Sequence, residues 1–175
     1  MDDRTKFIKW YVRPFNRLKR IKNGDGAFII LSTGIFLCER YYRIKSNCIR
    51  KDDLPDKFYK VAAKDLKVDL DVFERFWGIF RHGMQHRGQP QKWFKEWTRT
   101  RSRKTPKRYG WSIDNDYSAV PTMCKINGKK TICINPHKFT HLMLCKFLQR
   151  PDYLGKSVRH QFGNISPRPT DCICE

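Results

Sequence analysis

Apolar side chains recur at three- and four-residue steps along the first third of the chain. The set consists of Phe7, Trp10, Tyr11, Phe15, Leu18 and Ile21. This spacing predicts an amphipathic helix, which Pro14 would kink or restart because proline has no backbone N–H. The run Asn23-Gly24-Asp25-Gly26 then predicts a turn that ends the helix.

The second predicted helix covers residues 27 to about 44 and is apolar nearly all round its first turns. We therefore expect it to lie at the centre of a helical bundle. A polar loop around residues 46 to 55 leads to a shorter predicted helix. Its apolar positions are Phe58, Val61, Ala62 and Leu66.

A third strongly periodic segment begins at Asp69, the predicted N-cap, with Asp71 in the first turn, where a negative charge suits the helix dipole. Gly88 and Pro90 are predicted to end this helix. Its apolar stripe consists of Phe73, Phe76, Trp77, Phe80 and Met84.

The pattern changes near residue 120, where isoleucines and other β-formers surround Asn127-Gly128, a strong signal for a tight hairpin. We predict a β-hairpin over about 120–134 and a last helix from His137 to about Gln149. The expected fold class is mainly α: a helical bundle with a small β-hairpin before the last helix. Residues 1–150 would form one domain, and residues 151–175 a weakly structured tail.

Charge narrows the class of partner. The 175 residues carry 37 Lys and Arg against 17 Asp and Glu, a formal net charge of +20. Such a surface attracts polyanions, of which nucleic acid is the abundant one, with an anionic membrane surface as the competitor. No apolar stretch reaches the roughly 20 residues that a membrane span needs, and no apolar run follows the N-terminus as in a secretory signal. The seven cysteines are odd in number and form no CxxC pair, so free thiols in a cytoplasmic protein are expected.

Part of this charge lies in a basic loop or insert at about 91–110, where eight cations face only Glu96. Aromatic rings among the cations suggest a surface that follows an RNA backbone and stacks unpaired bases. The alternative is a solvated loop whose tryptophans pack back onto the domain. The predicted RNA-binding residues are Lys92, Trp93, Lys95, Trp97, Arg99, Arg101, Arg103, Lys104, Lys107 and Arg108.

The helix that begins at Asp69 also carries Arg81-His82-Gly83-Met84-Gln85-His86. At about 100° per residue, Arg81, His82 and His86 share one sector of the helix opposite its aromatic stripe. This arrangement predicts an outward face with a permanent cation and two imidazoles. We call these six residues the motif, and the helix that carries them the motif helix.

The motif resembles that of the HEPN superfamily, whose ribonuclease members carry Arg, a polar residue, and then His after four to six intervening positions. The resemblance covers roughly residues 5 to 150. It implies a metal-independent endoribonuclease without cofactors, whose composite site forms between two protomers of a homodimer. By family analogy, the protein would be a toxin or an antiviral defence effector, and an acidic neutralising partner would suit its charge.

The implied chemistry is consistent with the residue types. RNA supplies its own nucleophile, the 2′-OH, so an enzyme without metal needs a proton carrier and a cation for the phosphorane-like charge. We assign His86 as general acid or base, Arg81 as phosphate and transition-state stabiliser, and His82 as a second positioning or proton-transfer group. Glu39 and Arg40, on the central helix, would either support this site from the bundle interior or form a structural ion pair.

Other readings of the same residues remain open. Arg81, His82 and His86 could form a solvated helix face, in which case the protein would bind nucleic acid without cleaving it. A small domain that binds an acidic partner protein is a third possibility. His82 with His86 and His137 with His141 are spaced to hold zinc, but the first pair lacks the Glu of zincins, and His137 shares its face with leucines, which favours a core-edge role.

Overall fold

The computed structural model describes residues 1–21, 26–49, 54–84, 90 and 109–156. Across these ranges the fold is mainly α-helical with a small β-sheet, which confirms the predicted fold class. The α-helices are α1 (Asp3–Phe7), α2 (Arg13–Leu18), α3 (Ala27–Lys45), α4 (Asp56–Leu66), α5 (Leu70–Phe76) and α6 (Pro136–Leu148). The strands are β1 (Gly110–Ile113), β2 (Thr122–Ile126) and β3 (Lys129–Ile134).

Helices α1 and α2 are joined without a break by a π-helical turn, Ile8–Val12, which ends two residues before Pro14. The distortion falls where predicted, because Pro14 has no N–H to donate to the preceding turn. The wider turn shifts the apolar stripe, so Phe7 and Phe15 are buried whereas Trp10 is 54% exposed. Ile21 lies beyond α2 and is 47% exposed, so the stripe predicted from a regular helix is wrong at these two positions.

Helix α3 is the central element, as predicted, and packs closely against α6. A Cβ at Gly34 would collide with Thr140 Oγ1 and lie 2.9 Å from Phe139 Cδ1. Thr140 Oγ1 donates a hydrogen bond of 2.7 Å to the Ile30 carbonyl across the same contact. The missing side chain at Gly34 therefore sets how closely the two helices approach. Cys38, one turn further on, is completely buried.

Aromatic side chains from α4, the motif helix and α6 fill the core. Phe58 lies 5.0 Å from Trp77 between ring centroids, and Phe76 lies 5.3 Å from Phe139. The predicted stripe is confirmed: Phe73, Phe76, Trp77 and Phe80 are buried, and Met84 packs against the core from a half-buried position. Asp69 is the N-cap residue by position, with Asp71 in the first turn of α5.

The predicted hairpin is present, with β2 antiparallel to β3. Its turn residues Asn127 (φ 49°) and Gly128 (φ 75°) both have the positive φ that a two-residue hairpin turn requires. The sheet has the order β1-β3-β2, and β1 pairs parallel with β3. Strand β1 was not predicted, since Gly110 was assigned to the basic loop.

The packed structure continues past the predicted domain boundary at residue 150. A short 3₁₀ turn, Pro151–Tyr153, follows α6, and Tyr153 and Leu154 are buried. Arg40 Nη2 donates to the Leu154 carbonyl, which ties this segment to α3. The remainder of the predicted tail, residues 157–175, lies outside the described residues.

The cysteines that the structure describes are Cys38, Cys48, Cys124, Cys133 and Cys145, and all are free thiols, as predicted. No helix in the described ranges is long and apolar enough to cross a membrane.

Candidate functional site

The motif helix changes its winding four residues before the motif begins. Helix α5 ends at Phe76 and continues into a π-helical turn, Trp77–His82, which contains Arg81 and His82. Such turns are rare and frequently occur at functional sites. Every side chain from Arg75 through Arg81 is buried, because neighbouring elements enclose this part of the helix on all sides.

The predicted exposure of Arg81 is therefore wrong: its side chain is 3% exposed. A wheel drawn at 100° per residue does not apply across a π-turn, whose hydrogen bonds run from i to i+5. His82 is half-buried, and His86 lies outside the described residues. The catalytic roles of Arg81, His82 and His86 stay predictions.

Glu39 connects α3 to the motif. Its Oε2 accepts a hydrogen bond of 3.3 Å from Arg81 Nε, and its Oε1 accepts one of 2.9 Å from Arg43 Nε. The exposed fractions of Glu39, Arg43 and Arg81 are 1%, 0% and 3%. We call these three residues the inner cluster. Two guanidiniums share one carboxylate there, so the cluster carries a formal charge of +1 in the protein interior.

Sequence reasoning found part of this cluster. Glu39 forms ion pairs with Arg81 and Arg43, whereas Arg40 donates to the Leu154 carbonyl in the segment after α6. Arg43 was missed, although Glu39 and Arg43 are four residues apart on one helix, a spacing that brings side chains together. Arg43 also extends from Nη1 to the Cys48 carbonyl at 3.4 Å, which ties the end of α3 to the following loop.

Tyr59 of α4 lies within electrostatic reach of the inner cluster. Its burial raises the pKa of the hydroxyl to about 12, although the Arg81 guanidinium acts in the opposite direction. Tyr59 therefore stays protonated at physiological pH. It is a neutral hydrogen-bonding group and not a base.

A second group of charges joins α3, α4 and α6 at the protein surface. Asp65 accepts hydrogen bonds from Tyr42 Oη at 2.8 Å, from Lys146 Nζ at 2.6 Å and from Lys45 Nζ. We call Asp65, Lys45 and Lys146 the edge cluster. Burial alone would raise the pKa of Asp65, but the hydrogen bonds from Lys146, Lys45 and Tyr42 outweigh it and lower the pKa to about 2.

A cleft of about 380 Å³ opens at the start of α6. His137 and His141 both contribute to its wall: His137 is half-buried, and the exposed ring of His141 stacks on Phe15 with centroids 6.3 Å apart. Burial, followed by the charge of Lys19, lowers the pKa of His137. Within the described ranges, no three His, Cys, Asp or Glu side chains converge in a way that could hold a metal ion.

All ten predicted RNA-binding residues lie outside the described residues. The structure does describe both flanks of this segment: Pro90 and Tyr109 are buried, and the guanidinium carbon of Arg75 lies 4.0 Å from the centroid of the Tyr109 ring. Tyr109, the first described residue after this segment, therefore contacts the motif helix. The residues concerned are Lys92, Trp93, Lys95, Trp97, Arg99, Arg101, Arg103, Lys104, Lys107 and Arg108.

The chain matches no family model, no curated protein and no solved structure. The resemblance to the HEPN superfamily therefore rests on the motif and on the amphipathic helix that carries it. The structure adds the surroundings of Arg81, which lies in a π-turn and shares the buried Glu39 carboxylate with Arg43.

Proposed function

We propose that the protein is a metal-independent endoribonuclease of the HEPN kind that cleaves RNA through attack of its own 2′-OH, as a toxin or defence effector. Arg81, His82 and His86 would form the site, which a second copy of the chain would complete. RNA would be the substrate, and the cations of residues 91–108 would hold it. An acidic protein would be the natural neutralising partner for a charge of +20.

One observation carries this proposal: the buried ion pair between Glu39 and Arg81 in the π-turn of the motif helix. Removing a carboxylate and a guanidinium from water is costly, and a hydrophobic pair of similar volume is often at least as stable. Ionisable groups retained in such surroundings are concentrated at functional sites. Here the retained charge is the arginine of the motif.

The inner cluster also suits the chemistry. Glu39 holds Arg81 through Nε, which fixes the plane of the guanidinium within the motif. Since Arg81 is 3% exposed, RNA would reach it only after the surface over the π-turn opens. His82 and His86 would then carry the proton to and from the reacting oxygens.

The test is RNA cleavage by the purified protein in the presence of EDTA, with analysis of the product ends. We expect 2′,3′-cyclic phosphate and 5′-OH ends. Replacing His86 with Ala should reduce the rate at least about 100-fold, the usual loss for a general acid or base. His160→Ala, outside the motif, is the matched control and should keep full activity.

Arg81 requires a milder substitution, because Arg81→Ala would leave Glu39 buried without one of its cations. Arg81→Lys keeps the charge but loses the planar fork, so cleavage should fall while the far-UV circular dichroism spectrum is retained. Cleavage that persists at the wild-type rate in both His86→Ala and Arg81→Lys would exclude the proposed site.

The composite site predicts a second-order dependence on protein. Sedimentation of the wild type should show dimers at the concentrations where cleavage is observed, since each protomer would supply its own Arg81 and His86. Full activity of a monomer would contradict this part of the proposal and leave the chemistry of the motif intact.

A second candidate is a nucleic-acid-binding protein without catalysis. The burial of Arg81 favours it, because an arginine that is 3% exposed is enclosed as a purely structural arginine would be. Such a protein would bind RNA with a strong dependence on salt, and its affinity would be the same in His86→Ala. Binding without product ends in EDTA would select this candidate over the enzyme.

A further inference from the structure

The cleft at the start of α6 is separate from the motif and has an unusual wall. Within the part of the chain that the structure describes, two lysines, two histidines and two asparagines line its volume of about 380 Å³, and no acidic residue does. The lining residues are Lys19, Asn115, Asn135, His137, Lys138 and His141.

The wall of the cleft is held in place by hydrogen bonds. The Asn135 side chain caps α6 by accepting from the Lys138 backbone N–H at 2.9 Å, and its Nδ2 donates to the Asn115 carbonyl. Lys138 Nζ in turn donates to the Tyr117 carbonyl at 3.3 Å. These bonds join the loop between β1 and β2 to the first turn of α6. Lys138 and the two asparagines therefore sit on a fixed frame, which reduces the entropy lost when a ligand binds.

Two lysines and two histidines line the same cleft. Lys19, from the end of α2, is close enough to His137 to disfavour its protonation, and His137 Nδ1 is a buried atom with no hydrogen-bond partner among the described residues. Asp114 and Asp116 flank Asn115 but are exposed and do not line the cleft. Two lysines without an acidic residue among the described lining residues favour an anionic ligand.

We propose that this cleft binds the phosphate group of a nucleotide. Lys19 and Lys138 would provide the charge, and His137 and His141 would donate hydrogen bonds to the phosphate oxygens. The volume lies within the range of about 300–1,000 Å³ that is typical of small-molecule sites. The site does not depend on the proposed ribonuclease activity, since none of its residues belongs to the motif.

Isothermal titration calorimetry of the 175-residue chain tests the site. Inorganic phosphate, adenosine 5′-monophosphate and a short single-stranded RNA are titrated as separate probes. Replacing Lys19 or Lys138 with Gln should weaken binding about tenfold, the effect of losing one charge-assisted contact. Lys125→Gln, at an exposed position on β2, changes the net charge equally and should leave the affinity unchanged.

The three probes distinguish the source of the phosphate. Binding of inorganic phosphate and the monophosphate with this variant pattern establishes a nucleotide site. Binding of RNA alone, with the same pattern, also supports the site and assigns the phosphate to an RNA chain. Equal weakening in Lys125→Gln, or no saturable binding of any probe, overturns the proposal.

The imidazoles give a direct readout. In ¹⁵N-edited NMR spectra, the ring signals of His137 and His141 should shift with the same dissociation constant as the calorimetry, while those of His82 stay in place when inorganic phosphate is the probe. Shifts confined to His82 would show that phosphate binds at the motif, and this result would overturn the proposal that the cleft is the phosphate site.

Discussion

The inner cluster and the edge cluster have the same composition by charge, one carboxylate shared by two cations, yet they lie in opposite surroundings. Glu39 is 1% exposed, whereas the side chain of Asp65 is 21% exposed and those of Lys45 and Lys146 are 33% and 17% exposed. Arginines serve the buried cluster and lysines the surface one. A guanidinium is weakly hydrated and holds a carboxylate in a fixed geometry, whereas the ammonium of lysine keeps part of its water. Burial, and not the number of ion pairs, separates a site that is costly to maintain from one that merely joins helices.

The largest effect is expected at Glu39. Glu39→Gln keeps the shape of the side chain but leaves two buried guanidiniums without the carboxylate that they share, so the free energy of unfolding should fall by about 3–5 kcal/mol. Urea unfolding at neutral pH measures it. A loss no larger than that of Asp65→Asn would show that burial does not separate the two clusters. Replacing Glu39, Arg43 and Arg81 together with Met should recover much of the loss.

An intermediate effect is expected at Gly34, where α3 approaches α6. In Gly34→Ala the new Cβ meets Thr140 and Phe139, and relieving that overlap should cost about 1–3 kcal/mol. The edge cluster includes Lys146 of α6, so Gly34→Ala and Asp65→Asn should give less than additive losses in a double-mutant cycle. The inner cluster contains no residue of α6, so the losses of stability in Gly34→Ala and Glu39→Gln should be additive. Ser32→Ala, exposed on the same helix, is the control and should change stability by less than about 0.5 kcal/mol.

The smallest effect is expected at Asp65. Because solvent screens this cluster, Asp65→Asn should lower the free energy of unfolding by about 1 kcal/mol at neutral pH. The pKa of Asp65 is lowered from 3.8 to about 2, so its contribution is present above the unfolded pKa and is lost as the pH falls from about 4 to about 2. The stability of wild type and variant should therefore converge over that interval in acid unfolding curves. A constant difference down to pH 2 would contradict the assigned partners.

The helices and the hairpin were predictable because their signals are local. Helix α3 was expected over 27 to about 44 and is observed over Ala27–Lys45, since its dense apolar pattern is a local signal that needs no information from distant residues. Asn127 and Gly128 specified the hairpin through their tolerance of positive φ. Strand β1 was missed for the opposite reason. Its four residues pair in parallel with β3, which is about 20 residues away, and no turn between the two strands announces that pairing.

The candidate site was predictable in its residue types but not in its setting. The motif and Glu39 can be read from the sequence, because charged residues are conspicuous within apolar helices. The burial of Arg81 cannot, since it depends on a π-turn that changes the phase of the helix and on packing from every side. A π-turn also lies at Trp10 in the first helix, where the regular wheel predicted an apolar-stripe position and the side chain is exposed. A helical wheel predicts the exposed face of a helix only while the winding stays regular.

The burial of Cys38 determines when its thiol can react with a reagent in solution. Its thiol is completely enclosed, and burial raises its pKa well above the usual value, so the reactive thiolate is absent from the closed protein. The residue next to it in sequence is Glu39. An alkylating reagent can therefore modify Cys38 only during the moments when this part of α3 separates from its neighbours. The rate of that modification therefore measures how often α3, which contacts Arg81 through Glu39, separates from its neighbours.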